Sequence, residues 1–470
     1  MIKIDKIQLH NFRFFIDEEA HNTFELNGQH MLVYGENGSG KSSLYKAFEF
    51  LAKPQIAQNE FEENINIFNN ENTYLEFNFS NEEMLRIDED HLNLDALHLF
   101  VEKLSITKPI LDYKSLLKIH YRTNSSRSEI NIFELFSKLL LDYPVEKNRR
   151  VQDLRGQEYF DALENIIKNE LFEYIDTFLE YFEQSFKIED IAFDAFEREV
   201  ILKIEYFNKK IENYHNFLNE ARLSALAISI YFAIIKKQFD KLEANSLKIL
   251  VLDDLLISLD MNNRLNLIDI LKNEFSDFQI FFFTHDKGFF EILKDKMSWK
   301  AYEVYVDTHE DGFEIPFVKQ SLNYFETAQK YFDEYDYPAC ANYLRKEVER
   351  IKKLINQNDI DGVPIDRSIQ IVKGLVNSND FTDFSQPDTT SEACIGRIRG
   401  KLIGIKNNLD NAREPFVEIN LKEINSVLRR ILHPQSHDDN SKPLYKKELQ
   451  EAIAIITELR EKIENPIIEQ

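Results

Sequence analysis

Gly35-Glu-Asn-Gly-Ser-Gly-Lys41-Ser42 decides the reading of this chain. The stretch matches G-x-x-x-x-G-K-[ST] in full. Residues 23–34 (TFELNGQHMLVY) before it have the pattern of strands, with a turn expected at Asn27-Gly28. Residues 42–52 (SSLYKAFEFLA) after it place apolar side chains at helical spacing. Strand, glycine-rich turn and helix form the setting in which such a loop cradles phosphates. Glycines let successive backbone N–H groups wrap the phosphate chain, and the helix N-terminus adds its dipole. In this setting Lys41 reaches the β- and γ-phosphates and Ser42 ligates Mg²⁺, while Glu36, Asn37, Gly38, Ser39, Gly40 and Ser43 complete the loop. Glycine numbers only 12 in 470 residues, so three between Gly35 and Gly40 mark a backbone under special demand.

Working outward, LKILVLDD (247–254) and FQIFFFTH (278–285) are short continuous apolar runs, the pattern of parallel strands buried on both faces. RLNLIDILKNEF (264–275) between them is an amphipathic helix, which makes a β-α-β unit. The first run ends in Asp253-Asp254. A carboxylate at the tip of a buried strand supplies a second Mg²⁺ contact, here Asp253. Asp254 then stands where a carboxylate orients or deprotonates the attacking water, a position that would also suit a helix cap. Ser258-Leu-Asp260 follows, and His285 closes the next strand as the candidate γ-phosphate contact; alone, such a histidine would read as structural.

These residues, in this order, resemble ABC-type ATPase heads of the SMC/RecF/RecN class over residues 1–317. The resemblance implies an α/β P-loop head in which Gly35–Ser42 is Walker A, Leu250–Asp254 Walker B, Asp260 the D-loop residue and His285 the switch histidine. Ile4…Leu9-His-Asn-Phe-Arg13 resembles the first strand of such heads, which places Arg13 near the nucleotide. ATP and Mg²⁺ are then the implied cofactors. The implied partner is a second copy, each head completing the other's site in a homodimer or higher oligomer. The stretch expected to do so is Asn219-Glu220-Ala221-Arg222, where Asn219 can cap a helix and Arg222 supplies charge. It lacks the glycine of the usual signature and reads equally as an ordinary capped helix. Asp254 in place of the commoner Glu implies slow hydrolysis.

Length alone suggests two or three domains. Residues 90–195 read as an acidic helical insertion without sustained heptads, and residues 318–470 as an all-α C-terminal domain. Scarce Gly and Pro point to a mostly helical chain. Lys and Arg number 57 against 82 Asp and Glu, a formal charge of −25, which argues against broad binding to nucleic acid. Residues 321–470 hold 21 basic and 25 acidic side chains, so the deficit lies mainly upstream. No apolar run approaches a membrane helix, and MIKIDKIQLHNFRFF alternates like a strand, so the expected location is cytoplasmic. Cys340 and Cys394 cannot form a disulfide framework.

The C-terminal region reads as two helices over 321–356, the second starting at Tyr337-Pro338 and placing Arg345 and Glu349 four apart. Arg430 and His437 follow as R-x6-H, with His433 between them. Metal-free RNA cleavage needs an acid or base near the 2′-hydroxyl and a cation on the phosphate, roles that His and Arg fill. The L-R-x-x-x-E pattern with a distant R-x6-H resembles HEPN domains, and an ABC-type head joined to one resembles the PrrC/RloC anticodon nucleases. That resemblance implies a tRNA-cleaving site of Arg345, Glu349, Arg430 and His437 in antiphage defence. By residue type alone, Arg345 and Glu349 also make a surface ion pair, and HPQSHDD a hydrogen-bonded loop. Two other readings share the same head: a sensor or scaffold ATPase that regulates a separate effector or antitoxin protein, and a RecF-like DNA repair ATPase.

Overall fold

A computed structural model of the chain describes residues 2–94, 104, 107, 109–112, 132–145, 149–182, 186–194, 199–211, 218, 220–240, 247–255, 259, 261–297, 299–357 and 446–464. The chain divides into two compact units, Met1–Ser321 and Leu322–Gln470. The strands are β1 (Ile4–His10), β2 (Thr23–Glu25), β3 (Met31–Gly35), β4 (Tyr74–Phe79), β5 (Met84–Ile87), β6 (Ile110–Asp112), β7 (Pro144–Val145), β8 (Arg149–Arg150), β9 (Phe186–Asp194), β10 (Glu199–Tyr206), β11 (Lys209–Ile211), β12 (Ile249–Asp253), β13 (Gln279–Thr284), β14 (Lys300–Thr308) and β15 (Glu314–Gln320).

A six-stranded sheet in the order β15-β14-β3-β13-β12-β6 organises the first unit. Its strands pair in parallel, except for the antiparallel β14–β15 hairpin. The apolar runs of β12 and β13 divide residue by residue between two cores. Val33, Val251, Phe281 and Phe283 face one core with Leu44 and Phe48 of the helix Lys41–Leu51. Leu32, Leu252, Ile280 and Phe282 face the other with Ala225 and Ile228 of the helix Glu220–Asp240. Burial on both faces is why these strands read as unbroken hydrophobic runs rather than alternating ones. An antiparallel sheet, β2-β1-β4-β5, supplies Ile7, Leu75 and Phe77 to the first of these cores.

Two expectations are corrected. Asn27 and Gly28 do turn through positive φ (51° and 71°), but β2 and β3 do not form a hairpin, because β2 pairs with β1 while β3 enters the central sheet. The region 90–195 is not wholly helical. β6 caps the edge of the central sheet beside β12, and β9 joins β10 and β11 in a separate antiparallel sheet. β9 buries Phe186, Ile188 and Ile191, but its register against β10 shifts between Lys203 and Ile204, and that bulge breaks the two-residue alternation. The first unit is a mixed α/β body, as expected for residues 1–317. Between these strands the helices Gln157–Asn165 and Phe172–Tyr181 are joined by the π-helical turn Ile166–Leu171.

In the second unit the described residues form three helices, Tyr324–Asp333, Tyr337–Gln357 and Lys446–Glu464. The first begins with a capping box, in which Asn323 Oδ1 accepts from Glu326 N at 2.8 Å and Glu326 Oε2 from Asn323 N at 3.0 Å. Ala341, Leu344, Val348 and Ile351 face Leu449, Ala452 and Ile456 in its core. Glu347 is fully buried there, 2.8 Å from Arg350 and 3.7 Å from Arg460. No helix of the described residues is long and apolar enough to cross a membrane.

One side chain fastens the antiparallel sheet to the central one. Gln279, 1% exposed, accepts from Ile4 N at 2.7 Å and donates to Ile4 O and Gln29 O at 2.8 Å each. Gln279→Ala leaves all three backbone groups unsatisfied and is expected to cost about 3 kcal/mol. Urea unfolding monitored by circular dichroism checks this; a midpoint equal to wild type would remove Gln279 from the account of how the sheets are joined.

Candidate nucleotide site

The turn after β3 and the helix Lys41–Leu51 form the floor of a cleft of about 890 Å³, to which Arg13, Lys41, Ser42, Ser43 and Asp254 all contribute. Gly40 caps the helix with φ 111°, a left-handed conformation in which any Cβ would also come within 3.1 Å of the Phe14 ring. At Gly35 a Cβ would stand 2.3 Å from Ser39 Oγ and 3.1 Å from Val304 O, so only glycine lets the loop close on itself. Ser39 is fully buried and its hydroxyl has no hydrogen-bond partner among the described residues. Lys41 folds into this loop and donates from Nζ to Gly35 O at 2.5 Å and Glu36 O at 3.2 Å. Burial holds the Lys41 ammonium below the ordinary lysine range, and Asp254 and Asp253 partly offset that effect.

β12 and β13 bring the two catalytic candidates together. Asp254 Oδ1 accepts from the backbone N–H of His285 at 2.9 Å and lies 2.7 Å from His285 Nδ1. Asp254 has φ 51°, in the left-handed region that Asp tolerates better than longer side chains. The following loop is held by a feature the motifs did not reveal. Arg264, on the helix Met261–Glu274, binds Asp286 at 2.6 Å and Leu259 O at 2.9 Å. Asp286 in turn accepts from Phe289 N at 3.0 Å, which caps the helix Lys287–Met297. That bond, with Arg264, holds the Asp286 carboxyl below its ordinary range against the effect of burial.

Arg13 donates to Asn64 Oδ1 at 2.9 Å and has φ 53°; burial lowers its pKa, opposed by Glu49. Mg²⁺ prefers hard oxygen ligands. Ser42 and Asp254 line the cleft and carry such oxygens, while Asp253 is not among the lining residues and acts electrostatically on Lys41. Of the signature stretch, Ala221 and Arg222 lie in the first turn of the helix Glu220–Asp240 and do not line this cleft; the Arg222 guanidinium lies 5.4 Å from the Tyr206 ring centroid. Asn219, Ser258, Asp260, Arg430, His433 and His437 lie outside the described residues. In the second unit Arg345 and Glu349 pair with each other at 2.9 Å on a partly exposed helix face.

No protein-family profile matches the chain, and no curated sequence does either. Solved structures similar to it include SMC heads. An SmcHead bound to the C-winged helix domain of ScpA is 13% identical with a TM-score of 0.38, over 68% of this chain and 98% of that one. A Pyrococcus furiosus Smc head domain with an extended coiled coil, bound to the C-terminal domain of ScpA, is 14% identical with a TM-score of 0.37, over 72% and 100%. The SMC head domain from Thermotoga maritima is 14% identical with a TM-score of 0.36, over 68% and 99%. The functional reading rests on the cleft's own geometry.

Behind the loop, β14 carries a buried brace. Glu303 accepts from Ser321 Oγ at 2.6 Å and from the Tyr305 hydroxyl, and lies 2.9 Å from Lys287, whose ammonium is 4.7 Å from the Tyr34 ring centroid. Burial alone would raise the Glu303 pKa, but these donors overcome it and bring it from 4.5 to about 2. A carboxyl whose pKa falls on folding stabilises the fold above its unfolded pKa, and the contribution disappears as pH falls toward the folded value. Glu303→Gln is therefore expected to flatten the fall in thermal stability between pH 4.5 and about 2. Melting curves of both proteins across that range check it, and superimposable acid limbs would contradict it.

Proposed function

We propose that this chain is an ATPase of the SMC-head type, binding ATP on the loop 35–43 and hydrolysing it slowly, with two heads meeting over the nucleotide. The observation that carries the reading is the meeting of Lys41, Ser42 and Asp254 in one cleft, with Asp254 fixed by His285 at 2.7 Å.

On this reading Lys41 leaves the carbonyl oxygens of Gly35 and Glu36 for the β- and γ-phosphates, and the amides of the turn and first helical turn bind phosphate oxygens. Ser42 and Asp253 hold Mg²⁺, which supplies charge neutralisation at the phosphates when bound. Asp254 orients the attacking water and accepts its proton. Both contacts from His285 fall on Oδ1 of Asp254 and hold the carboxylate in place for that role. The shorter reach of Asp than of Glu accounts for the slow turnover.

For the second unit we infer RNA cleavage, with Arg345, Glu349, Arg430 and His437 as its residues, gated by the nucleotide state of the head. Residue type and spacing support that assignment, together with the resemblance to anticodon nucleases that also suggests the antiphage setting.

Removing the general base from a positioned water typically costs about 10²–10⁴ in rate. Asp254→Asn is thus expected to keep ATP binding and lose at least about a hundredfold in turnover, whereas Lys41→Ala loses both. Phosphate release and equilibrium ATP binding on the purified chain separate these effects; Asp254→Asn turning over at the wild-type rate would refute the assignment. In cells, tRNA integrity with wild type, Lys41→Ala and His437→Ala tests the second unit. Cleavage abolished by both substitutions supports the nuclease, and intact tRNA beside active ATP hydrolysis makes the chain the sensor of a separate effector.

A further inference from the structure

Part of the nucleotide cleft's lining is aromatic. That part includes Phe68, from the loop between the helix Gln58–Glu62 and β4, and Phe313, from the β14–β15 turn. The two rings stack at 4.2 Å between centroids and 9° between planes, although 245 residues separate them in sequence. The His309 ring stacks on Phe313 at 4.5 Å and 18°. Two rings at such distances cannot share one face of Phe313, so the order is His309, Phe313, Phe68. Phe313 is covered on both faces. Phe68, 58% exposed, ends the column, and among the described residues no further ring lies on it.

The column is built before any ligand arrives. Asn66, 4% exposed, accepts with Oδ1 from Phe68 N at 2.8 Å and Asn69 N at 3.0 Å, and donates from Nδ2 to Arg13 O at 2.7 Å. One buried amide therefore sets the loop that presents Phe68 and ties it to the Arg13 turn at the phosphate end. At the other side the turn closes through Gly312 N to His309 O at 2.8 Å and His309 N to Phe313 O at 2.8 Å. Charge orients whatever lies in the cleft. Lys41 marks the phosphate position, and Glu314, next to Phe313 in the chain, lines the same cleft, where it favours an uncharged ring over an anionic group beside the stack.

We propose that Phe68 is the base-recognition residue of this cleft, with a purine stacking on its outer face as the fourth ring of the column. Asn66 is the positioning residue that holds it. The proposal rests on the reading of the loop 35–43 as a triphosphate site. It adds a preference for purines, whose two fused rings cover more of the phenyl face than a pyrimidine does. Stacking tolerates any base, so hydrogen-bond discrimination between adenine and guanine is no part of it.

The test uses the full chain with Mg²⁺ and compares ATP, UTP and inorganic tripolyphosphate by titration calorimetry. In the wild type ATP is expected to bind more tightly than UTP. Phe68→Ala should weaken ATP on the order of tenfold, erase the difference from UTP and leave tripolyphosphate unchanged. Phe68→Trp should restore ATP affinity, and its indole emission should change with ATP but not with tripolyphosphate, against the fixed background of the one native tryptophan, Trp299. Equal weakening of ATP and tripolyphosphate by Phe68→Ala would make the stack a purely structural clasp and overturn the proposal. So would ATP affinity indifferent to Phe68, with the triphosphate reading left intact. A wild type that binds neither ATP nor tripolyphosphate would bring down both.

Discussion

The ammonium of Lys41, inside the turn that ends β3, is the contact on which the candidate site depends. It holds the carbonyl oxygens of Gly35 and Glu36 at 2.5 and 3.2 Å, so the turn is closed around a cation before any phosphate arrives. Burying an ammonium is costly unless it is well hydrogen-bonded or faced by opposite charge. Here the partners are backbone carbonyls at one side and the electrostatic pull of Asp253 and Asp254 at the other. Those carboxylates can act on Lys41 only because β12 lies two places from β3 in the sheet, with β13 between, and both strands end at the same edge. The buried two-faced sheet thus aligns the three strand ends that carry the site.

Asp254 illustrates how the backbone and the chemistry constrain each other. Read as a motif, it is a carboxylate one methylene shorter than the commoner residue. Its φ of 51° gives that shortness a local reason, since Asp enters the left-handed region more readily than Glu does. The turn brings the carboxylate back onto the N–H and ring of His285. The clasp of Arg264 on Asp286 then holds the residue next to His285 against the segment after β12.

What the sequence revealed was what lies close together in the chain. The glycine-rich loop is eight consecutive residues, and the strands ending in Asp253-Asp254 and Thr284-His285 announce themselves as apolar runs with polar tips. Their assembly into one sheet follows from the β-α-β rule, so this part of the candidate site was legible. The Phe68–Phe313 stack was not, because it joins residues far apart in sequence, and neither ring sits in a periodic pattern. Gln279 also escaped notice: within FQIFFFTH it looks like a lone polar residue, and only the paired sheets show why it is buried. β9 was hidden by its bulge, and β6 by being three residues long. In the helix Tyr337–Gln357 the motif drew attention to Arg345 and Glu349, while the fully buried acid is Glu347, two positions away.

The central claim is that a nucleoside triphosphate occupies the cleft over residues 35–43 with Lys41 on its phosphates. Hydrogen exchange of the full chain with and without Mg²⁺ and a slowly hydrolysed ATP analogue tests it most directly, since backbone amides are the proposed phosphate ligands. The account requires added protection of the amides of residues 36–43, together with slower exchange in the 66–69 loop and the 309–313 turn, and loss of both in Lys41→Ala. Unchanged exchange across 36–43 at saturating analogue, or protection that survives Lys41→Ala intact, would contradict it.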